Sequence, residues 1–152
     1  MFKRSVTERI VIHSSQSVSE SNWGVKDLEK FLGKTMSGFH YVIKRDGSIE
    51  EGINISNVGH HAQGYDSKSI GICLVGGAKR NAASQLVSSF NYTEEQLNSL
   101  SHLVDHLRLN RFPTIKQIVG FNDVSKHSDS PCFNVTEWLE TGQVEELSGR
   151  SI

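Results

Sequence analysis

The sequence reads as a single α/β domain, and three observations carry that reading. Two short apolar runs, Ile10-Val11-Ile12 and Ser69 to Val75, alternate too little to be half exposed, so they fit buried strands. Asp46-Gly47 separates two alternating runs, a strong hairpin signal because glycine takes positive φ at no steric cost. Two further segments, 25–32 and 93–111, place apolar residues at helical spacing.

The elements follow in chain order. The first strand covers Val6 to Ile12 and runs into His13-Ser14-Ser15-Gln16-Ser17, a polar loop. Val25, Leu28, Phe31 and Leu32 define a helix that Gly33 closes. The hairpin Phe39–Gly52 follows, with a type I′ turn expected at Asp46-Gly47. Residues 53–59 connect it to a His-rich loop, Val58-Gly59-His60-His61-Ala62-Gln63-Gly64-Tyr65-Asp66. Ser69 to Val75 is expected to be the central strand, and residues 76–92 a long irregular loop. Thr93-Glu94-Glu95-Gln96 has the form of a capping box. The helix it starts carries Leu97, Leu100, Leu103, Val104 and Leu107 inward and runs to about Arg111, before Pro113. Ile115 to Val119 is a short strand, 120–134 a loop, and Val135 to Glu140 a short helix with Trp138 inward. The core is expected to span about 6–140, leaving 141–152 as a frayed polar tail.

Composition narrows the function classes. At 152 residues the chain is one domain by length. A net charge of −1 supplies no global field toward nucleic acid or anionic membranes, so neither is expected as a partner. No apolar run is long enough to span a bilayer, and Met1-Phe2-Lys3-Arg4 precedes no signal-type segment, so the expected location is the cytoplasm. Cys73 and Cys132 are then expected as reduced thiols. His102 and His106 share a helical His-x-x-x-His spacing with no accompanying Glu and read as a solvated face. Gly76-Gly77 lacks the Lys-Ser/Thr of a phosphate loop, and Lys79, Arg80 and Lys116 read as solvated charge.

As a set, four motifs resemble the phage-type N-acetylmuramoyl-L-alanine amidases, whose fold is shared with the peptidoglycan recognition proteins. They are the strand ending in His13-Ser14, the Asp46-Gly47 hairpin, the loop leading to Ser69-Ile70-Gly71-Ile72-Cys73-Leu74-Val75-Gly76-Gly77, and Gly120-Phe121-Asn122-Asp123-Val124-Ser125. The resemblance runs from about Arg9 to Leu139. It implies a central mixed β-sheet flanked by helices. It also implies zinc held by two His and one Cys with a fourth position open for water, assisted by a Tyr and often a Lys.

Residue by residue, the implied chemistry is incomplete. His13 stands at the first ligand position. Phe121 stands at the second, and Ser130, in Ser130-Pro131-Cys132-Phe133, at the third. Phe39 occupies the position of the catalytic Tyr, and Lys126 is the candidate for the Lys. A phenyl ring has no lone pair for zinc and a neutral hydroxyl is a poor ligand, so no metal cofactor is expected. The first expectation is therefore a degenerate amidase that binds through the old substrate cleft. That cleft would comprise His13, Phe39, His40, His60, His61, Phe121, Lys126, His127 and Ser130. Its imidazoles favour a polar or anionic ligand: a nucleotide signal, a muropeptide or a protein partner. A second reading keeps the amidase reaction through a rearranged zinc site of His13, His127 and Cys132. A third is a metal-free phosphoester hydrolase using two of His13, His40, His61 and His127 as acid and base.

Overall fold

A computed structural model describes residues 2–33 and 38–152. In chain order the elements are β1 (Arg9–Ser14), α1 (Val25–Leu32), β2 (Tyr41–Ile43), β3 (Ile49–Glu51), β4 (Ser69–Leu74), β5 (Ala78–Arg80), β6 (Leu86–Ser88), α2 (Glu94–His106), β7 (Gln117–Gly120), α3 (Phe121–Val124) and α4 (Val135–Thr141). Five strands form one mixed sheet in the order β3-β2-β4-β1-β7. Only the β2–β3 hairpin is antiparallel; β2–β4, β4–β1 and β1–β7 run parallel. Among the described residues no helix is long and apolar enough to cross a membrane.

The continuous apolar runs are explained by position. β4 is buried at every residue because helices cover both faces of the sheet centre. Ile10, Ile12, Ile70, Ile72 and Leu74 pack with Leu100, Leu103, Val104 and Leu107 of α2. Val42, Cys73 and Val75 pack with Leu28 of α1 on the other side. Register places His13 beside Cys73 and Cys73 beside Val42, so His13 belongs to the α1 face at the carboxyl end of β1. The α1 helix ends as expected: Gly33 takes φ 68° and its N–H reaches the Glu29 and Lys30 carbonyls. The hairpin positions its start, since Glu50 Oε1 accepts the Val25 N–H at 2.7 Å.

The capping box at α2 forms in both directions: Gln96 N–H donates to Thr93 Oγ1 and Thr93 N–H to Gln96 Oε1. Gln96 does more, because its buried Nε2 donates to the carbonyls of Ile43 and Val75 at 3.1 and 2.9 Å. After His106 the helix widens into a π-helical turn, Leu107–Arg111, closed by Phe112 N–H to Leu107 O. His102 and His106 are exposed on this helix.

Three expectations are corrected. The Asp46-Gly47 turn is not type I′: Gly47 alone of the pair takes positive φ, with its N–H on Lys44 O. The connection spans residues 44–48, a longer loop with glycine at the left-handed position, and Asp46 accepts from Ser48 instead. Residues 76–92 are not irregular throughout, since β5 and β6 pair antiparallel within them. The segment after α4 is not frayed. Ser88 N–H donates to Arg150 O, Gly149 N–H to Ser88 O and Leu147 N–H to Cys132 O, and Arg150 Nε meets Asp129 Oδ1 at 3.2 Å.

Candidate functional site

A cavity of about 190 Å³ opens at the carboxyl end of β1, between α1 and the loop after α3. His13 forms its floor and is only 4% exposed. Three rings surround the imidazole. Phe121 stacks on it at 4.8 Å between centroids, Phe39 lies tilted at 5.0 Å and His61 meets it edge-on at 5.0 Å. Each ring is placed by its element: Phe121 opens α3 directly after β7, and Phe39 precedes β2 with its carbonyl on Ile53 N–H. His61 lies over Gly71 of β4, where an added Cβ would come within 2.5 Å of its ring.

The His13–His61 pair is hydrogen-bonded, Nε2 to Nδ1 at 2.9 Å. His61 Nε2 faces Asp66 Oδ1 at 3.6 Å. That oxygen also accepts the N–H groups of His61 and Ala62. At 3.6 Å that oxygen lies beyond hydrogen-bond range, and the buried His61 Nε2 has no hydrogen-bond partner among the described residues. Burial drives the His13 pKa well down, and His61 adds to the effect. Burial also lowers His61 to about 4, against the opposing pull of Asp66. Both rings are therefore neutral near pH 7.

Of the nine residues expected in the cleft, four line it: His13, Phe39, Phe121 and Ser130. His61 stands behind His13 as its partner. His40 is corrected to a structural role, because its ring is 1% exposed and fully used. Its Nδ1 accepts the Gly71 N–H and its Nε2 donates to Asn57 O. His60 is exposed beside a separate depression with Gln63 and Gly64. Lys126 and His127 are exposed and do not line the cavity. Sequence reasoning missed the other wall, which is Ser14, Ser15, Gln16 and Ser128 with Leu28, Phe31 and Leu32 of α1. Phe31 and Leu32, part of the helical spacing that marks α1, are 60% and 40% exposed at the rim.

The residues present do not fit a zinc ion. Phe121 covers one face of His13, and the His13 Nε2 is taken by His61. Ser130 Oγ is bound within the protein, accepting from Ser14 N–H at 2.8 Å and Ser14 Oγ at 3.1 Å. The rearranged set is not brought together either. Cys132 is buried with its thiol on Gly77 O, and burial pushes that thiol up to about 11, against the thiolate a metal needs. Among the described residues, no group of three or more His, Cys, Asp or Glu is placed to hold a metal.

Comparison with known proteins agrees with this architecture. The family model described as N-acetylmuramoyl-L-alanine amidase matches residues 3–136. The endolysin of Escherichia phage T7 is 36% identical over 145 residues, covering 93% of this chain and 91% of the endolysin. The N-acetylmuramoyl-L-alanine amidase LysC of Clostridium intestinale URNW superposes with a TM-score of 0.68 at 24% identity, over 90% of this chain and 84% of LysC. Human PGRP-IBETAC, solved with a glycosamyl muramyl pentapeptide, has a TM-score of 0.68 at 16% identity, over 92% of this chain and 86% of its own. A match of this extent, on a mixed sheet that carries His13 at the end of its first strand, places the chain in the N-acetylmuramoyl-L-alanine amidase family.

Proposed function

We propose that this protein binds peptidoglycan fragments in the His13 cavity and does not hydrolyse them through zinc. One observation carries the reading: His13 lies between Phe121 and Phe39, and the hydroxyl at the third ligand position is tied to Ser14. Two of three ligand positions thus offer no donor, and the position of the hydroxyl-bearing Tyr is a phenyl ring. The lining favours a muropeptide over a nucleotide or other phosphorylated ligand. No Lys or Arg is among the described lining residues, and a neutral His13 cannot pair with phosphate.

A second reading, an active endolysin-type amidase, is favoured by the 36% identity with the T7 endolysin. The test separates the two. Purified protein is assayed for metal, for clearing of bacterial cell walls, and for binding of N-acetylmuramoyl-L-alanyl-D-isoglutamine by calorimetry. Binding without clearing and without bound zinc supports the proposal. One zinc per chain with wall clearing sinks it.

A further inference from the structure

Two grooves flank Leu139 of α4, and neither shares a residue with the His13 cavity. One runs between α4, β7 and the π-helical turn after α2, where Ile115 and Ile118 line it. The other runs between α4 and the first half of α2, where Leu97 and Trp138 line it. Leu139 lines both and is 36% exposed, so it stands on the ridge between them. The lining is thus apolar on either side of a protruding apolar residue.

Charge differs across that ridge. The first groove carries Arg108 and Lys116 with Glu140; the second carries Glu94 as its one charged residue and no cation. Arg108 is tied to Asp105 at 3.1 Å on the surface. Lys116 and Glu94 have no ion-pair partner among the described residues. The sheet rim beside the first groove is also unguarded. Other edges are blunted: β3 carries Glu50 and Glu51, β5 carries Lys79 and Arg80, and β6 is bridged by the C-terminal segment from Val87 to Ser151. Strand β7 pairs with β1 alone, and Gln117–Gly120 contains no charged residue.

From these observations we infer that the Leu139 face docks a second copy of this chain about a two-fold axis through Leu139. A two-fold axis presents each half of a patch to the other half on its mate. Here the halves are complementary: Lys116 of each copy faces Glu94 of the other, and Leu139 meets its own counterpart. A partner of one charge sign would satisfy one groove and leave the ion across the ridge unpaired. The face has few apolar side chains, which predicts a weak dimer with a dissociation constant of about 10–100 μM.

Sedimentation equilibrium of the full chain tests this, run from about one tenth to about ten times that constant. The average mass should rise from one chain to two. Leu139→Lys sets like charges against each other on the axis and should weaken association by at least about 10-fold. Lys116→Glu and Glu94→Lys should each weaken it about 3- to 10-fold, because the pair occurs twice, and the two changes together should restore it. All four variants should melt near the wild-type temperature when dilute. Wild type that stays a single chain throughout would overturn the inference. A wild-type dimer that Leu139→Lys leaves intact would overturn it too, by placing the contact elsewhere. Should Leu139→Lys fail to fold, the charge swap decides: a double variant no stronger than the weaker single one would overturn the facing of the two grooves.

Discussion

Replacing Phe39→Tyr, Phe121→His and Ser130→Cys together should create zinc binding that the native chain is proposed to lack. Structure sets the cost first. Ser130 Oγ accepts a buried backbone N–H from Ser14 at 2.8 Å, and a thiol is a poor substitute. Leaving that amide unsatisfied costs about 1–3 kcal/mol. At about 2–4 °C per kcal/mol for a domain of this size, the metal-free triple variant should melt roughly 2–12 °C below the native protein. The gain comes next. Phe121 already stacks on His13 at 4.8 Å, so an imidazole there brings a second nitrogen to the same cavity. Free zinc at a thousandfold over its dissociation constant would stabilise the folded form by about 4 kcal/mol, or about 8–16 °C. The assay is a thermal melt of both proteins with zinc and with chelator, backed by metal analysis after gel filtration. A triple variant that keeps no zinc, and melts at one temperature in zinc and chelator, would refute the assignment of these three positions.

Other predictions concern the scaffold. Gln96→Leu removes the side-chain donor to the Ile43 and Val75 carbonyls and the Gln96 Oε1 acceptor of the Thr93 N–H, so it should lower stability by about 2–5 kcal/mol in urea unfolding; a loss under 1 kcal/mol would contradict the clamp. Gly71→Ala sets a Cβ 2.5 Å from the His61 ring and should displace it from His13, seen as shifted histidine resonances and weakened muropeptide binding. Stability should also depend on pH. His40 and His61 are lowered to about 4 by burial, from 6.5 in the unfolded chain, so below 6.5 the unfolded chain binds more protons than the folded one. The share carried by His40 and His61 is full above pH 6.5, is lost as pH drops from 6.5 toward 4, and changes no further below that. The displacement is worth about 3 kcal/mol for His40 alone. A melting temperature that stays flat between pH 7 and 5, above the carboxylate range, would show these rings are not held neutral.

Much of this was legible in the sequence because side-chain period reports burial. β4 reads as central since Ile70, Ile72 and Leu74 face one helix layer while Cys73 and Val75 face the other. The Thr93–Gln96 box names the start of α2 to the residue. The same signal fails where backbone pairing, not burial, makes the structure. Lys79 and Arg80 of β5 are exposed, and the chain after α4 is ordered through amides and carbonyls of Ser88, Cys132 and Arg150. At the site, motif positions located His13, Phe39, Phe121 and Ser130. His40 was misplaced because nothing in its sequence context reveals that Gly71 and Asn57 consume both ring nitrogens. The α1 wall was missed because a helix of eight residues sends only Leu28 fully inward, so the period alone does not separate core from rim.

The docked C-terminal segment gives the cavity a remote handle. Glu145, Leu147 and Arg150 fasten residues 129–134, and that stretch carries Ser130 and follows Ser128 in the wall. Peeling off the last eight residues, by a protease or by a bulky fusion near Ile152, would slacken one side of the His13 cavity while leaving the sheet intact. Affinity measured on a protein altered there would then report the strength of a latch on the far side of β6 as much as the chemistry around His13.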